Sequence, residues 1–560
     1  MLQCLRFSEA ERQRLLAETE VPSQVVAAFF RVAPGDDSRA VASVLLDEIS
    51  EFGELVRVTP DPGKPALESE AARDYLIVAI IPITAAEAFE DLLRRPSIER
   101  RATSSWEDRG DLKQLFDAGV TPQPLPEEED PEDLLDRARK FILSNGGSTY
   151  LNSHSEPLPH AAEERLAILT LPKGFRASGV RCGIKGRKYD LGILFCEGLP
   201  AVSGRFTRNR FASGPVQLCR RNLERHSIRA LVVNSGNSNA ATGERGHRDA
   251  ERMAELVAEC LGLEAHQVLV CSTGVIGRFL PMEKIEPGIR EAAEELEVGR
   301  DERFIQAMMT TDTRMKHSVR AFQLGGREVT LAGATKGAGM IQPNLATMFA
   351  FITTDAAIRQ SALDQALGIA VHQTFNRLTV DADTSTSDSV IAFAGGAAGN
   401  DPVGADHPEF FRFVDELREL CLDLTRRLAR DGEGATHLVR VAVEGAFNAL
   451  EAERVAKSIA NSMLVKTAVF GRDPNWGRIL MAVGNSDARF DPNRVRVWLT
   501  GMLLFENGMG TGQEPAEVSQ AMGHEEVEIR VDLGAGEARA TVYTCDLSYE
   551  YVRINAEYTT

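Results

Sequence analysis

Short apolar runs that end in small or polar residues recur between residue 161 and the C-terminus. RALVVNSG, QVLVCSTG and LTVDADTS have the composition of β-strands, and stretches such as HRDAERMAELVAECLG and SALDQALGIAVHQTF predict helices. Strands and helices that alternate in this way predict an α/β fold. Strands that end in Ser, Thr, Gly or Asn turns are typical sites of chemistry in such folds.

The first 107 residues show a different order of elements. Their apolar patterns predict a small α+β domain with the order β-α-β-β-α-β, which is that of a ferredoxin-like sheet. The predicted strands cover 25–32, 54–59, 75–81 and a region near 97–105, and the predicted helices cover 38–52 and 84–95. The pattern leaves the role of this domain open between ligand binding, regulation by an amino acid, and packing or association.

Residues 108–160 have the composition of a linker. TPQPLPEEEDPEDLLDRARKF carries prolines and an acidic cluster, and LSNGGSTYLNSHSEPLP is rich in Gly, Ser and Asn. Such segments are solvated spacers, so we expect the linker to separate the N-terminal domain from the region that begins near residue 161.

Length and charge restrict the classes of function. A chain of 560 residues exceeds one compact core, so several domains are expected. The net charge of -19 argues against nucleic acid as a partner, because a phosphate backbone requires a basic surface. The run YLIVAIIPI is too short to span a bilayer, and the charged N-terminus has no signal-peptide core, so we expect a cytoplasmic protein without a membrane partner.

Familiar catalytic motifs do not match this chain. The eight cysteines form no CxxC pair, which predicts reduced thiols and no zinc site. GATKGAGM and VVNSGNSNAATG are glycine-rich, yet neither has the spacing of a nucleotide-binding loop. HExxH and GxSxG motifs do not occur, which disfavours a zinc protease and an α/β-hydrolase.

Thr347 lies where a polar turn meets an apolar run, in IQPNLATMFAFITT. A threonine hydroxyl within a chain is a weak nucleophile, but at an N-terminus its own α-amine, with a pKa of roughly 7.7–8.0, can act as general base. Attack of the hydroxyl on the Ala346 carbonyl, followed by hydrolysis of the ester, would release that N-terminus. Without further context, a buried strand threonine is the far better interpretation of this Ala-Thr step.

Several motifs in the same order resemble one enzyme family. ATKGAGMIQPNLATM is similar to the self-cleavage motif of the glutamate N-acetyltransferase family, also called ornithine acetyltransferase, of arginine biosynthesis. LPKGFRASGVRCGIKGRKYDLGIL, VLVCSTGVIG, AMMTTDT, TVDADTSTSD, RDGEGATHL, VKTAVFGRDPNWGRI and YVRINAEYTT extend the resemblance along residues 161–560. The N-terminal 160 residues fall outside it, so the resemblance implies a bifunctional arginine-biosynthesis protein with an extra N-terminal domain.

The resemblance assigns roles to individual positions. It implies cleavage between Ala346 and Thr347, which gives two chains, 1–346 and 347–560. The acetyltransferase alpha chain then covers 161–346 of the first, and the beta chain is 347–560. Thr347 corresponds to the nucleophile, and Thr273 and Gly274 correspond to the oxyanion hole. The positions implied to bind substrate are Thr310, Lys336, Thr347, Glu433, Asn555 and Thr560.

The implied fold is an α/β layered sandwich of the DmpA/ornithine-acetyltransferase type, with sheets packed between helical layers. The implied reaction is ping-pong: an acetyl group moves from N2-acetylornithine to Thr347 and then to glutamate. The resemblance implies no metal and no organic cofactor, and it leaves open whether acetyl-CoA also serves as donor. It further implies a heterotetramer of two alpha and two beta chains.

Two residues depart from the family pattern, and two other functions compete with acetyl transfer. Ala382 replaces an expected glycine, which matters only if the backbone φ is positive there, and Ser387 replaces an expected asparagine. The first alternative is an N-terminal-nucleophile amidase or aminopeptidase on the same scaffold. The second is a non-catalytic binding protein that is never cleaved.

Overall fold

The computed structural model of the chain describes residues 167–342 and 348–557, together with the backbone of four strands within residues 23–106. The predicted helices over 38–52 and 84–95 and the predicted linker over 108–160 lie outside the described residues. So do Ala346, Thr347 and Thr560.

The chain divides into two compact units, Met1–Glu163 and Glu164–Thr560. The four predicted strands of the first unit are present as β1 (Ser23–Val32), β2 (Glu54–Thr59), β3 (Asp74–Pro82) and β4 (Ile98–Trp106). They form one antiparallel sheet with the order β2-β3-β1-β4. This strand order is the one expected for a ferredoxin-like β-α-β-β-α-β fold. The ferredoxin-like assignment stays a prediction, because the predicted helices are outside the described residues.

The second unit carries the remaining described strands and the helices. Its strands are β5 (Phe175–Val180), β6 (Leu191–Cys196), β7 (Ala201–Phe206), β8 (Ala230–Asn237), β9 (Val268–Val275), β10 (Lys316–Leu324), β11 (Arg327–Lys336), β12 (Phe349–Thr354), β13 (Ser389–Ala394), β14 (Leu438–Ala446), β15 (Arg496–Leu499), β16 (Met502–Glu506), β17 (Met509–Gly510), β18 (Glu526–Asp532) and β19 (Ala538–Cys545). Its helices are α1 (Gly214–Leu223), α2 (Gly243–Leu261), α3 (Met282–Glu294), α4 (Asp301–Met308), α5 (Gln360–Gln373), α6 (Phe410–Arg430), α7 (Ala449–Asn461), α8 (Met463–Phe470), α9 (Trp476–Gly484), α10 (Pro515–Ala521) and α11 (Tyr549–Glu557).

Two sheets of the second unit pack face to face. One has the order β5-β6-β8-β9, and the other has the order β10-β11-β12-β13-β7. Aromatic side chains fill the space between them, and Phe175, Phe349 and Phe393 are among those that are almost fully buried there. Burial of each such side chain contributes roughly 1.5–3 kcal/mol relative to exposure.

Helices cover the outer faces of both sheets. Helices α2 and α3 pack on the first sheet through Val257 and Ile285, and α5 and α6 pack on the second through Leu367 and Leu417. Strand β12 is therefore buried on both faces, with Phe351 toward the other sheet and Ile352 toward the helices. This helix-sheet-sheet-helix order confirms the predicted layered sandwich and explains the continuous apolar run of β12.

A third sheet has the order β17-β16-β15-β18-β14-β19 and buries one face against α7 and α9. The burial pattern alternates strictly along β18 (Glu526–Asp532), as expected for a sheet with one buried face. Its other face carries cross-strand ion pairs, including Arg440 with Glu528 and Arg530 with Glu444.

Most strands and helices predicted for the second unit are present, but one is wrong. Residues 378–385, LTVDADTS, form no strand and make only isolated bridges at Leu378 and Thr384. The Asp381 carboxylate accepts hydrogen bonds from the backbone N–H groups of Met340 and Ile341, and Ala382 has a φ of 67°. These bonds to the segment after β11, together with the left-handed residue, stand in place of the backbone ladder of a strand.

Candidate active site

One cavity of about 280 Å³ lies where several strands of the second unit end. Strand β11 runs antiparallel to β12, and β12 runs parallel to β13, so the C-terminal end of β11 lies beside the starts of the other two. Lys336 pairs with Phe349, which pairs with Ser389 in the same row. The cavity opens beyond this row.

The cavity brings together six of the residues that the sequence assigned to the site, namely Thr273, Gly274, Thr310, Lys336, Glu433 and Asn555. Met348 and Phe349 also line it. Met348 directly follows Thr347, the predicted nucleophile, in the sequence. The individual roles of these residues stay predictions, as do the roles of Ala346, Thr347 and Thr560, which lie outside the described residues.

The end of β9 supplies Thr273 and Gly274. Gly274 has a φ of 124°, and a Cβ there would lie 2.4 Å from the carbonyl carbon of Gly236 on the neighbouring strand β8. Only glycine fits such a close approach of two backbones with positive φ. The Ser272 hydroxyl donates to Asn234 Oδ1 at 2.6 Å, which ties the two strand ends together.

Lys336 is the cation of the cavity, with 8% of its surface exposed. Its Nζ lies 3.3 Å from Thr310 Oγ1 and 5.5 Å from the centre of the Phe349 ring. Burial lowers the pKa of Lys336, and the nearby Asp312 carboxylate opposes part of that shift. An ammonium in this place can bind the carboxylate of an amino acid.

Asp312 is a buried carboxylate close to Lys336, and the sequence did not single it out. It accepts hydrogen bonds from the backbone N–H groups of Gly337 at 2.6 Å and Thr310 at 2.9 Å. It also accepts from Lys316 Nζ at 2.6 Å, and Lys316 pairs in addition with Asp431. Burial alone would raise the pKa of Asp312, but Lys316 and Lys336 outweigh it and hold that pKa below its ordinary value.

Glu433 and Asn555 also line the cavity. Asn555 Nδ2 donates to Glu433 Oε2 at 2.8 Å, which joins α11 to the loop after α6. Glu433 N–H donates to the Ala338 carbonyl at 2.8 Å, and a Cβ on Gly339 would lie 2.4 Å from the Glu433 carboxyl carbon. Gly339 therefore leaves the room that the Glu433 carboxylate occupies.

Asp381, Asp388 and Tyr551 also line the cavity and were not singled out from the sequence. Tyr551 OH donates to Asp381 Oδ2 at 3.4 Å, and burial raises the pKa of both groups. The sequence signal for the two aspartates is the density of Asp, Ser and Thr in DADTSTSD.

The two departures from the family pattern lie in or beside the cavity. Ser387 lines it and is buried. Ala382, whose φ is 67°, meets the condition under which replacement of glycine is strained. The backbone strain expected from the sequence for a positive φ therefore applies to Ala382.

Within residues 167–342 and 348–557, no group of three or more His, Cys, Asp and Glu side chains has the arrangement of a metal site. The cysteines of these ranges are all free thiols, namely Cys182, Cys196, Cys219, Cys260, Cys271, Cys421 and Cys545. The helices of the same ranges include none that is long and apolar enough to cross a membrane.

Known proteins match the unit that contains this cavity. The model of the ArgJ family matches residues 176–560. The arginine biosynthesis bifunctional proteins ArgJ of Geobacillus kaustophilus and Bacillus subtilis are each 44% identical to this chain, over 390 and 396 residues. These matches cover 70% of this chain and 95% and 96% of those proteins.

A solved structure matches as well. It is ornithine acetyltransferase complexed with ornithine from Mycobacterium tuberculosis, with 38% identity, coverage of 32% of this chain and 96% of that one, and a TM-score of 0.29. The sequence matches define the class, an acyltransferase of amino-acid biosynthesis. This chain belongs to the ArgJ family, whose members are acetyltransferases of arginine biosynthesis.

Proposed function

We propose that this chain transfers an acetyl group from N2-acetylornithine to glutamate through an ester on Thr347, after cleavage between Ala346 and Thr347. The observation that carries the proposal is the cavity beside Met348. Thr273 and Gly274 from β9, Lys336 from β11 and Glu433 from the loop after α6 converge on it from separate parts of the chain.

Each group in the cavity has a task in this reaction. The α-amine of Thr347 takes the proton of its own hydroxyl as Oγ attacks the acetyl carbonyl. Thr273 Oγ and the Gly274 N–H donate to the oxyanion, an interaction worth about 3–4 kcal/mol per donor in other enzymes. Lys336 binds the α-carboxylate of the amino acid, and Glu433 binds an amino group. Ornithine then leaves, and glutamate takes the acetyl group.

Denaturing mass spectrometry tests this function. The purified protein is mixed briefly with N2-acetylornithine and denatured before the masses are recorded. We expect two chains, and the chain that begins at Thr347 gains the mass of one acetyl group. The matched control is Thr347→Ala, which we expect to remain a single chain without acetyl.

Other results of this experiment contradict the proposal in distinguishable ways. An intact wild-type chain would show that Thr347 is not released. Two chains without acetyl, with N2-acetylornithine hydrolysed in the absence of glutamate, would favour the amidase. Replacement of N2-acetylornithine by acetyl-CoA as donor in the same experiment separates an enzyme that uses both donors from one that uses N2-acetylornithine alone.

We further propose that the reaction needs no metal and no organic cofactor and that the enzyme is a heterotetramer of two alpha and two beta chains. Dialysis against a chelator should leave the rate of acetyl transfer unchanged. Native mass spectrometry should give the mass of two copies of each chain, and a single copy of each would contradict the assembly.

A further inference from the structure

A second cavity of the second unit, of about 350 Å³, lies beside the C-terminal half of α6. We call it the arginine cleft, and its cationic lining residues are Arg314, Lys316, Arg426, Arg427 and Arg430. Its other lining residues are Asp423, Asp431, Met315 and Leu438. Five cations and two carboxylates therefore line the arginine cleft, although the chain as a whole has a net charge of -19. Charge of one sign that is concentrated in a cavity attracts ions of the opposite sign, so the arginine cleft favours an anion.

The guanidinium groups of the arginine cleft keep hydrogen-bond donors for a ligand. Arg314 is exposed and has no ion-pair partner among the described residues. Arg426 donates through Nη2 to Glu526 at 2.6 Å. Arg430 donates in the same way to Glu525, also at 2.6 Å. A guanidinium has five N–H donors, and exposed ion pairs of this kind are weak, so these pairs leave donors available on both arginines.

Arginine side chains restrict the chemistry of the ligand. The planar fork of a guanidinium fits two oxygens of a phosphate or a carboxylate group at once. Several guanidinium groups around one cavity favour a ligand that carries more than one negative charge, because each additional cation adds attraction. The ligand that fits the arginine cleft is therefore a small oxyanion, such as phosphate or a dicarboxylate.

One buried network connects the arginine cleft to the cavity of the proposed active site. Lys316 and Asp431 both line the arginine cleft and pair with each other. Lys316 Nζ also pairs with Asp312 at 2.6 Å. Asp312 in turn accepts hydrogen bonds from the backbone N–H groups of Thr310 and Gly337, and Thr310 lines the active-site cavity. A change of charge in the arginine cleft therefore acts on groups that hold the wall of the other cavity.

We propose that the arginine cleft binds a small oxyanion with two or more negative charges, and that the bound anion weakens substrate binding in the active-site cavity. Binding of the anion is independent of the proposed function. The effect on the substrate rests on the proposed function, because it takes Lys336 as the group that binds the substrate carboxylate.

The direction of the effect follows from the charges of the network. An anion in the arginine cleft attracts the Lys316 ammonium and thereby loosens its pairing with Asp312. Asp312 then attracts Lys336 more strongly, since the charges of these two groups already act on each other. An ammonium that is held by Asp312 binds a substrate carboxylate less well. By thermodynamic linkage, the substrate must weaken binding of the anion by the same factor.

Isothermal titration calorimetry of the full chain tests the site. Inorganic phosphate and succinate are titrated separately, and sodium chloride keeps the ionic strength constant. The proteins are the wild type, Arg314→Gln and the matched control Arg221→Gln, since Arg221 is an exposed arginine on α1 that pairs with Glu251 outside the lining of both cavities. We expect Arg314→Gln to raise the Kd at least about 10-fold, because a charge-assisted hydrogen bond is lost, and Arg221→Gln to bind as the wild type does.

The outcomes of the titration separate the possible explanations. Binding of phosphate alone or of succinate alone supports the proposal and assigns the ligand to one of the two chemical classes. The proposal is wrong if neither anion binds the wild type, or if Arg221→Gln weakens binding as much as Arg314→Gln does. Binding that is unchanged in Arg314→Gln would place the anion elsewhere, for example at Lys336, and would also overturn the proposal.

A folding defect is excluded by thermal melting of each variant without the anion. If Arg314→Gln does not melt as the wild type does, Arg427→Gln takes its place. Arg427 lines the arginine cleft and pairs with Asp423, whose side chain is 42% exposed, so loss of this pair leaves no buried charge.

The effect on the substrate is measured by repeating the phosphate titration with saturating ornithine. We expect ornithine to raise the Kd for phosphate at least about 5-fold. Phosphate should likewise raise KM for N2-acetylornithine, and this effect of phosphate should disappear in Arg314→Gln. A Kd that ornithine leaves unchanged would overturn the coupling between the two cavities.

These outcomes are distinct from failure of the proposed function. A wild-type chain that binds phosphate in the arginine cleft but is neither cleaved nor acetylated contradicts the proposed function and leaves the anion site in place. A wild-type chain that transfers acetyl groups but binds neither anion keeps the proposed function and removes only the role of the arginine cleft.

Discussion

Single glycines determine which side chains fit into the cavity. A Cβ on Gly274 would collide with the Gly236 backbone, and a Cβ on Gly339 would collide with the Glu433 carboxyl group. The first collision is with main-chain atoms of the neighbouring strand, which cannot rotate away as a side chain can. The second involves a side chain that can rotate away, so a substitution there should move the Glu433 carboxylate, the proposed substrate contact, and leave the fold intact.

Gly339→Ala should therefore weaken substrate binding. Displacement of Glu433 removes a charge-assisted hydrogen bond, worth about 1.5–3 kcal/mol, so we expect KM for N2-acetylornithine to rise roughly 10- to 100-fold. Steady-state kinetics measure KM and kcat for this variant and for the control Gly484→Ala. No atom lies within 4 Å of a Cβ at Gly484. An unchanged KM would mean that Glu433 does not contact the substrate.

Ala382→Gly should stabilise the protein. Ala382 adopts a φ of 67°, and the left-handed conformation costs a residue with a Cβ roughly 1–2 kcal/mol. Glycine removes that strain but loses about 0.5–1 kcal/mol to the greater freedom of the unfolded chain. We expect the free energy of unfolding to rise by about 0.5–1 kcal/mol, as measured by urea denaturation. A decrease would show that the Ala382 methyl group makes a contact that outweighs the strain.

At the scale of elements, buried charge connects segments that are distant in sequence. Lys316 begins β10, Asp431 follows α6, and Asp312 binds the Gly337 N–H just beyond β11. The three charged side chains are almost fully buried. The network holds the end of β11, and with it Lys336, in place relative to α6.

Lys316→Met should destabilise the protein by roughly 3–5 kcal/mol at pH 7, because two buried carboxylates lose their cation. Without Lys316, burial raises the pKa of Asp312 above that of the unfolded chain, so the folded variant binds more protons as the pH falls. The difference in the free energy of unfolding between the variant and the wild type should become smaller between pH 7 and pH 5. In the wild type, the pKa of Asp312 is held low, so its contribution persists over this range.

Denaturation of both proteins at several pH values measures this effect. Lys457→Met is the matched control, since Lys457 pairs with Glu453 one turn away on α7, with side chains 26% and 18% exposed, and pairs of this i,i+4 spacing within a helix contribute about 0.2–0.5 kcal/mol. A deficit that is constant with pH would indicate that lost packing, and not charge, accounts for the change.

Local patterns predicted the strands of the site but not their neighbours in space. The apolar run of β12 and the glycine-ended runs of β8 and β9 follow from burial and turn chemistry within each segment. The strand predicted over residues 378–385 is absent because the Asp381 side chain bonds backbone N–H groups such as that of Ile341 instead of lying beside a strand ladder. Asp312 carries no such local signal, because its place depends on which strand ends meet, and the packing of the whole unit decides that.

At the scale of the whole molecule, the family match and the described apolar clusters both lie in the second unit. The family model begins at residue 176, and the described apolar clusters of the second unit are built from residues 168 onward. The cavity is lined by the same unit. The activity should therefore reside in Glu164–Thr560.

A chain that begins at Glu164 should fold, cleave before Thr347 and transfer acetyl groups with a kcat within about twofold of that of the full chain, because it keeps every residue of the described apolar clusters of the second unit. Intact mass, thermal melting and steady-state kinetics of the truncated and full chains measure these three properties. The matched control is a chain that begins at Arg181, which removes β5 (Phe175–Val180) and should not fold, since Phe175 and Ala177 belong to the core between the two sheets. If the chain from Glu164 also fails to fold, residues 1–163 supply part of the core. If it folds and cleaves but loses acetyl transfer, the N-terminal unit takes part in the reaction.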